Sequence, residues 1–368
     1  MKVALVHDHL AQDGGAEKVL KAFQEIYPEA PIYVLVYNPA QTNEAFLKKD
    51  IRTSFIQKLP WGVKKYQWFL PLMPSAVERY DLMDYDLILS STSSFSKGII
   101  TRPDALHICY CHTPTRFLWS DTHSYVEELA YGPLIRKAVP LILNRIRIWD
   151  RLAADRVDQF IANSKIVQQR IKKYYNRDSD IIYPPVETKR FQINPKVGNY
   201  YLMGGRLVSY KRFDLGVMAF NRLGIPLKIF GVGPAYHKLK KIARSNIEFL
   251  GRVSEEEKAK LFSEAIAFIN PQVEDFGIVM IESMVFGRPV IAYKKGGAEE
   301  IVIPNQTGVF FNDQNWEALA DAVIHFKPEN FDSEEIKKHV RQFDTTIFKD
   351  KIKEYIAQSW SKFQADIN

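Results

Sequence analysis

The sequence predicts two doubly wound, Rossmann-like α/β domains that face each other across a cleft. Short apolar strands alternate with helical segments along most of the chain, which is typical of parallel sheets covered by helices. The alternation stops at Pro184-Pro185 and then begins again. The chain has 368 residues, which is the length of two ordinary domains. Open sheets of this kind bind ligands at the carboxyl ends of their strands, so a site is expected there.

The first half predicts six strands and at least two helices. Gly14 and Gly15 end a loop, and a helix begins near Ala16. Ser164 follows a strand and is a suitable N-cap for the helix KIVQQRIKKYY. The predicted strands lie in KVALVHD, APIYVLVY, YDLILSS, LHICYCH, RVDQFIANS and DIIYPPV.

The second half repeats the pattern and contains the predicted site helix. From Gly277 onward, apolar residues recur at helical spacing. Gly287 stands where a helix C-terminus favours glycine, and Pro289 follows it. The predicted strands lie in YYLMGGRL, LKIFGVGP, IEFLGRV, AIAFINP, RPVIAYKKGG and TGVFFN, and the helix NWEALADAVIHF follows the last.

Composition indicates a globular protein of a reducing compartment. Apolar residues make up 46% of the chain and charged residues 25%. Two cysteines exclude a disulfide scaffold. The chain enters a strand directly after Met1, so no secretory signal is expected, and no apolar run approaches the roughly 20 residues that span a bilayer. A net charge of +7 permits nucleic acid, anionic lipid or phosphorylated ligands as partners.

Two glutamates flank the predicted helix start at Gly277. Glu274 lies in the preceding loop, and Glu282 lies about one turn inside the helix. The free amides of a helix N-terminus bind anions, so the two carboxylates could flank a phosphate-bearing ligand. The alternative is a capping acid together with a solvated helix glutamate.

Basic residues follow another strand of the second half. Gly205 and Arg206 follow the strand YYLM, and Lys211 comes shortly after. A glycine turn followed by arginine and lysine suits a diphosphate, because arginine binds bidentately and lysine adds a point charge. The alternative is a basic surface loop.

In the first half, Gly14-Gly15 could bring backbone amides to a phosphate or a sugar. The spacing is not the three-glycine dinucleotide fingerprint. His112 follows the strand ICYC at its carboxyl end, where a site is expected, and its alternative is a structural histidine.

No metal site is predicted. His107, Cys109 and Cys111 share one strand face, a spacing that suits tetrahedral zinc poorly. Asp84-Tyr85-Asp86 matches the Asp-x-Asp pattern of metal-dependent sugar transferases, but it begins a strand at the amino end and is interpreted as a turn.

Taken together, these segments resemble the retaining glycosyltransferases of family 4, which have the GT-B fold. The resemblance lies in Glu274 to Glu282, GGRL with Lys211, FLGRV at 249–253 and GGAEE at 296–300. More narrowly, HDHLAQDGGAEKVL, CYCHTPTRFLW, IIYPPVETKRF and EDFGIVMIESMVFGRPVIAY are similar to a branch assigned as mannosyltransferases of bacterial surface polysaccharides, such as O-antigens. The family often has glycine after the first glutamate, whereas this chain has Asp275.

The resemblance implies domains and an activity. Residues 1–185, joined by a C-terminal helix at about 345–368, would form the acceptor-side domain, and residues 186–344 would bind the nucleotide sugar. The enzyme would transfer mannose from GDP-mannose, with retention and without a metal or cofactor, to a lipid-linked or oligosaccharide acceptor. The alternatives are a UDP-sugar donor such as UDP-glucose and a non-catalytic nucleotide-sugar binder.

The resemblance also implies residue roles. Glu274 would face the donor sugar and Glu282 would hold the ribose. The diphosphate would be bound by Arg206, Lys211 and the amides of Gly277, Ile278 and Val279. The base would lie near Arg252 and Val253. The donor would also contact Gly14, Gly15 and Gly205, and the sugar would contact His112.

Two stretches predict contact with a membrane. Residues 51–80 interleave Trp61, Trp68, Phe69 and Leu70 with cations, and residues 136–151 add a second basic and apolar stretch. Such stretches lie on anionic bilayers, and an ordinary core helix with a basic face is the alternative. No nucleic-acid module is present, so nucleic acid is not expected as a partner. The expected location is cytoplasmic, peripheral at the inner face of the plasma membrane.

Overall fold

A computed structural model describes residues 1–122, 133–189, 191–194 and 196–367, with backbone only for 133–138. The chain divides into two compact units, Met1–Pro185 with Thr346–Asn368, and Val186–Thr345. The side chains of Arg136 and Lys137, in the second predicted membrane stretch, lie outside the described residues.

The first unit contains a sheet of seven parallel strands in the order β3-β2-β1-β4-β5-β6-β7. These are β1 (Val3–His7), β2 (Ile32–Val34), β3 (Ile51–Thr53), β4 (Leu87–Thr92), β5 (Leu106–Cys111), β6 (Gln159–Ala162) and β7 (Asp180–Ile181). The helices before the second unit are α1 (Gly15–Ile26), α2 (Met73–Glu78), α3 (Pro133–Asp155) and α4 (Lys165–Tyr175).

The second unit contains a sheet of six parallel strands in the order β10-β9-β8-β11-β12-β13. These are β8 (Tyr201–Gly204), β9 (Leu227–Phe230), β10 (Ile247–Gly251), β11 (Phe268–Asn270), β12 (Val290–Tyr293) and β13 (Gly308–Phe311). The helices are α5 (Phe213–Leu223), α6 (Tyr236–Ile242), α7 (Glu255–Glu264), α8 (Ile278–Val285), α9 (Ala298–Ile301), α10 (Trp316–His325) and α11 (Ser333–Val340), and the chain then continues into α12 (Thr345–Ile367).

Both faces of the first sheet are buried, which explains why its strands are apolar without alternation. In β1, Leu5 packs into one core cluster, whereas Ala4 and Val6 pack into another on the opposite face. The first cluster includes residues of α1 and α12, and the second includes residues of α2 and α3. This arrangement confirms the predicted doubly wound α/β fold class.

The C-terminal helix α12 belongs to the core of the first unit. Phe348, Ile352 and Ile356 are buried, and the ring of Phe348 stacks on Phe23 with centroids 6.0 Å apart. Burying a side chain of this size contributes about 1.5–3 kcal/mol, so the helix stabilises a unit whose other strands and helices come from the opposite end of the chain.

Several local signals have the expected structural result. The Ser164 hydroxyl accepts a hydrogen bond from the Val167 amide and caps α4. Gly277 is the N-cap of α8, and Gly287 follows its C-terminus with φ of +70°.

The strand β3 was missed, because residues 51–80 were interpreted as one amphipathic surface stretch. Ile51–Thr53 is instead an edge strand that pairs with β2 in parallel. The rest of the stretch forms short 3-10 turns and α2, not a long helix. Phe69 and Leu70 pack against the core of the first unit.

Candidate active site

In the second unit, the Glu274 carboxylate lies in the loop between β11 and α8, where two donors hold it. Oε1 accepts hydrogen bonds from the Lys211 ammonium at 2.9 Å and from the Gln272 amide at 2.7 Å. The Lys211 and Glu274 side chains are each 14% exposed. The structure therefore brings together two of the predicted site residues as a partly buried ion pair.

A glycine pair supports the loop that carries Glu274. The Gly297 amide donates to the Glu274 carbonyl at 2.9 Å, and residues 274 and 296 form an isolated parallel bridge. A Cβ atom at Gly297 would lie 2.0 Å from the Phe276 carbonyl oxygen. The GGAEE segment thus has glycine at 297 because the loop backbone passes too close for any side chain.

The helix α8 begins beside this ion pair. Gly277 has φ of +107°, a conformation that glycine adopts far more readily than other residues. A Cβ atom at Gly277 would lie 3.5 Å from Cβ of Glu274. Ile278 and Val279 are the first helical residues, so their amides have no partner within the helix and can bind an anion.

The loop after β8 positions Lys211 and leaves Arg206 in solvent. Gly205 has φ of +128°, and a Cβ atom there would lie 3.6 Å from the Lys211 ammonium. Arg206 is exposed, and no described residue forms a hydrogen bond or an ion pair with its side chain. The structure therefore places Arg206 on the same loop as Lys211 but does not bring it into the ion pair.

The FGVGP turn after β9 packs against this loop. A Cβ atom at Gly231 would lie 1.9 Å from the Gly205 carbonyl oxygen, and one at Gly233 would lie 2.3 Å from the Leu207 carbonyl oxygen. These two glycines permit the close backbone contact that fixes the loop carrying Arg206 and Lys211.

The second glutamate of the pair has a lysine partner that sequence reasoning missed. Oε1 of Glu282 lies 3.0 Å from the Lys258 ammonium, and these side chains are 12% and 17% exposed. Burial lowers the pKa of Lys258, but Glu282 and Glu255 outweigh it and hold that pKa above its ordinary value. Lys258 is 24 residues from Glu282 in sequence, and no local pattern marks it.

Arg252 and Val253 lie between β10 and α7, the helix that carries Lys258. Arg252 is exposed and Val253 is half-buried. Helix α7 begins directly after these two residues, and a capping box between Ser254 and Glu257 fixes its start.

In the first unit, Gly14 is the N-cap of α1 and Gly15 is its first residue. A Cβ atom at Gly14 would lie 3.2 Å from Oε2 of the buried Glu17. Burial raises the pKa of Glu17, but the neighbouring His7 outweighs it and holds that pKa below its ordinary value.

His112 directly follows β5 at the carboxyl end of the first sheet. Its Nε2 atom lies 2.8 Å from the Ser91 hydroxyl. Burial, assisted by His7, lowers the pKa of His112 to about 4, so the ring is neutral near pH 7. Gly14, Gly15 and His112 belong to the first unit, and the other predicted site residues belong to the second.

The residues that resembled metal ligands have other partners. Asp86 accepts hydrogen bonds from the Lys2 amide at 2.7 Å and from Arg102 at 2.6 Å, just before β4. His107 Nε2 lies 2.8 Å from the Ser90 hydroxyl, and burial raises the pKa of the Cys109 thiol to about 12. Among the described residues, no group of three or more histidine, cysteine or acidic side chains could hold a metal ion.

The predicted membrane stretches present exposed apolar side chains in the first unit. Trp61 and Trp68 are 65% and 50% exposed, and the Lys65 ammonium lies 4.1 Å from the Trp68 ring centroid. On α3, the exposed apolar side chains at positions 141, 148 and 152 recur at helical spacing; they are Leu141, Ile148 and Leu152. Of the helices that the structure describes, none is both long enough and apolar enough to cross a bilayer.

Arg52, by contrast, is bound by other side chains of the protein, although its own side chain is 48% exposed. It donates hydrogen bonds to the hydroxyls of Tyr33 and Tyr85 at 2.7 and 3.0 Å, and it also pairs with Asp50. This cation at the start of the 51–80 stretch is therefore engaged at the sheet edge.

Two curated relatives are similar to parts of this chain. An uncharacterized glycosyltransferase of Methanocaldococcus jannaschii is 28% identical over 197 residues, which is 52% of this chain and 55% of that protein. A GDP-mannose-dependent alpha-(1-6)-phosphatidylinositol monomannoside mannosyltransferase of Mycobacterium tuberculosis is 29% identical over 205 residues, 47% of this chain and 53% of that protein. The matches thus span about half the length of these relatives.

Solved structures and family models extend the comparison over nearly the whole chain. The crystal structure of Anabaena HepE in complex with UDP-glucose has a TM-score of 0.72 at 17% identity, covering 97% of this chain and 100% of that chain. Residues 13–190 match the model of Glycosyltransferase Family 4, and residues 186–343 match the model of Glycosyl transferases group 1. The two models together span residues 13–343, and the chain therefore belongs to the glycosyltransferases of family 4, with the GT-B fold.

Proposed function

We propose that this protein is a retaining glycosyltransferase that transfers a sugar from a nucleoside diphosphate donor. The observation that carries the proposal is the Lys211–Glu274 ion pair, with its 2.9 Å contact, beside the helix start at Gly277. A cation, a carboxylate and free helix amides then lie around one loop of the second unit.

This combination suits the chemistry of sugar transfer from a nucleoside diphosphate. As the nucleoside diphosphate departs, negative charge develops on its phosphates, and Lys211, Arg206 and the amides of Ile278 and Val279 stabilise it. Positive charge develops at the sugar carbon, and the Glu274 carboxylate stabilises that charge. The acceptor hydroxyl attacks from the face of the leaving group, and a phosphate oxygen takes its proton, so the configuration is retained.

The ribose is assigned to Glu282. Its carboxylate is held by Lys258, and a carboxylate with two oxygens can keep that ion pair while accepting a hydrogen bond from a ribose hydroxyl. The base is assigned to the backbone near Arg252 and Val253. The predicted donor contacts of Gly14, Gly15, Gly205 and His112 stay predictions.

GDP-mannose is the proposed donor. The branch resemblance of the EDFGIVMIESMVFGRPVIAY segment supports it, as does the GDP-mannose dependence named for the mycobacterial relative. UDP-glucose is the second candidate, because Anabaena HepE was solved in complex with it.

A screen of nucleotide sugars tests the function and the donor together. We expect GDP-mannose to raise the melting temperature and to be hydrolysed slowly without an acceptor, and we expect Glu274→Gln to slow this hydrolysis about 10²–10³-fold. Stabilisation and turnover with UDP-glucose but not GDP-mannose would transfer the assignment to the second candidate. Stabilisation by a nucleotide sugar with no hydrolysis or transfer to any acceptor would indicate a non-catalytic binder.

Activity is proposed to need no divalent metal, because Lys211, Arg206 and the helix amides supply the positive charge. Transfer should therefore continue in EDTA at an unchanged rate. A loss of transfer in EDTA that Mn²⁺ restores would contradict this assignment.

The acceptor is proposed to be a lipid-linked or oligosaccharide intermediate of a bacterial surface glycan, met at the inner face of the plasma membrane. The exposed Trp61 and Trp68 rings, with Lys65 beside Trp68, form a surface that suits an anionic bilayer. The exposed apolar face of α3 adds a second contact of the same kind.

Vesicle co-sedimentation tests this membrane contact. Each cation near an anionic surface contributes about 1 kcal/mol, so Lys64→Glu with Lys65→Glu should weaken binding to anionic vesicles in a salt-dependent way. Lys240→Glu with Lys241→Glu, an adjacent exposed pair on α6 of the second unit, changes the net charge equally and is the matched control. Equal loss in both double variants would show a general charge effect and would refute this surface.

A further inference from the structure

A chain of four polar side chains lies at the carboxyl end of the first sheet. Glu17 in α1, His7 at the end of β1, Ser91 in β4 and His112 after β5 follow one another in space. Strands β1, β4 and β5 are neighbours in the sheet, and His7 pairs in register with Ser91. Glu17, His7 and Ser91 are each almost completely buried.

The hydrogen positions in this chain follow from which atoms can only accept. Nδ1 of His7 lies 3.1 Å from the Ser91 carbonyl oxygen and 3.1 Å from the Ser91 hydroxyl oxygen. A carbonyl oxygen cannot donate, so Nδ1 of His7 must carry a hydrogen to make this contact. The hydroxyl oxygen of Ser91 then accepts from the same N–H group.

The opposite nitrogen of His7 faces Glu17. Nε2 lies 3.6 Å from Oε1 of Glu17, which is an ion-pair distance. A carboxylate oxygen can only accept, so this contact is attractive only when Nε2 carries a hydrogen. The hydrogen on Nδ1 of His7 is therefore fixed by the Ser91 carbonyl oxygen and not by Glu17.

The hydroxyl hydrogen of Ser91 has one remaining acceptor. Nε2 of His112 lies 2.8 Å from the hydroxyl oxygen, and apart from the His7 N–H group the described residues give this hydroxyl no other hydrogen-bond partner. Because a neutral imidazole carries one hydrogen, an accepting Nε2 places that hydrogen on Nδ1. Nothing in the part of the chain that the structure describes forms a hydrogen bond to Nδ1 of His112.

We propose that Ser91 and His7 are positioning residues that fix His112 as the Nδ1–H tautomer, so that His112 donates a hydrogen bond to an oxygen of the bound sugar. For its ligand, the inference rests on the proposed function. The tautomer itself is a property of the unliganded protein and can be measured without any substrate. In this arrangement, His112 acts as a hydrogen-bond donor and not as a base.

Nitrogen-15 NMR of histidine-labelled protein tests the tautomer directly. The His112 signals are assigned as those missing from His112→Gln. We expect a protonated Nδ1 and an unprotonated Nε2 in the wild type, and a shift toward the Nε2–H form in Ser91→Ala. A protonated Nε2 in the wild type, or an unchanged tautomer in Ser91→Ala, would overturn the proposal.

Ser90→Ala is the matched control. Ser90 lies on the same strand with its hydroxyl 2.8 Å from Nε2 of a different buried histidine, His107. This variant should leave the His112 tautomer unchanged, and an equal shift would overturn the role of Ser91. In donor kinetics, Ser91→Ala should lower kcat/KM by roughly 3- to 10-fold, the loss expected for one hydrogen bond, while Ser90→Ala should not.

The NMR result and the donor screen can fail independently. If no nucleotide sugar is turned over, the proposed function fails while the tautomer measurement still stands. If GDP-mannose is turned over and His112 carries its hydrogen on Nε2, the proposed function stands and this inference fails.

Discussion

Replacing Glu274 with glutamine keeps the shape of the side chain and removes its charge. The Lys211 ammonium, 14% exposed, then loses the carboxylate that lies 2.9 Å away. At that distance and an effective dielectric constant of about 20, the Coulomb attraction is about 6 kcal/mol. Desolvation of both groups offsets much of it, so we expect the free energy of unfolding to fall by about 1–3 kcal/mol.

The kinetic effect should be larger than the effect on stability. Loss of one electrostatic stabiliser at the reacting centre lowers turnover by about 10²–10³-fold, which corresponds to about 3–4 kcal/mol in the barrier. Affinity for the free nucleoside diphosphate should stay unchanged or rise, because Lys211 becomes fully available to the phosphates. The measurements are steady-state kinetics and calorimetric titration with the diphosphate.

Glu282→Gln provides the contrast. If Glu282 holds the ribose, the variant loses a charge-assisted hydrogen bond of about 1.5–3 kcal/mol, which is roughly a 10- to 100-fold loss of diphosphate affinity. Glu255→Gln, which alters a 77% exposed partner of the same Lys258, should change neither quantity. If Glu274→Gln abolishes diphosphate binding while Glu282→Gln leaves it intact, the two assignments are reversed.

Three further predictions concern the supporting structure. Lys258→Met and Glu282→Gln should each lower the free energy of unfolding by about 1–3 kcal/mol in urea titrations, and the double variant should lose much less than the sum because both break one pair. Gly277→Ala should weaken diphosphate binding, whereas Gly224→Ala, also at positive φ but with open space around it, should lower only stability, by about 1 kcal/mol. Burial lowers the pKa of His107 to about 3 from an ordinary value near 6.5, so the unfolded chain binds this proton first and stability falls as the pH drops through that range. His107→Leu should therefore remove about 2 kcal/mol of the stability loss between pH 8 and pH 5, and an unchanged pH dependence would contradict that reasoning.

Local sequence signals predicted the elements whose physics is local. Ser164 caps α4 because its hydroxyl reaches an amide three residues away, and Gly287 ends α8 because the backbone there has positive φ. The buried strands β4 and β5 were visible because parallel strands that are covered on both faces form continuous apolar runs. Such signals also predicted the doubly wound fold class.

The strand β3 could not be predicted in the same way. It has only three residues, Ile51–Thr53, and it lies at the edge of the sheet, where one side has no neighbouring strand. Its central residue is a cation, Arg52, whose charge is satisfied by two tyrosine hydroxyls and Asp50. A short edge strand therefore lacks the apolar run that marks a central strand, and only tertiary contacts define it.

The residues of the candidate site also divide into those whose signals are local in sequence and those whose partners are distant in sequence. Glu274 and Gly277 could be proposed as site residues because the loop and the helix start that they occupy are contiguous in sequence. Their supports were not found, since Lys258 reaches Glu282 from another helix and Gly297 reaches the Glu274 loop from the far end of β12. Ion pairs and close backbone contacts between distant segments leave no periodicity in the sequence.

The difference between side-chain and backbone contacts explains why the sequence predicts the donor nucleotide less well than the reaction. In the proposed mechanism, the negative charge of the diphosphate requires a cation such as Lys211 and the positive charge of the sugar requires a carboxylate such as Glu274, so the residue types at these positions carry the information. Recognition of the base is assigned to backbone groups near Val253, and a backbone amide or carbonyl is the same group in every residue except proline. A guanine-reading loop and a uracil-reading loop can therefore differ by a small backbone shift while they keep the same side chains. On this assignment, the residue types at positions 252 and 253 would not encode the nucleotide preference, and a binding measurement would establish it.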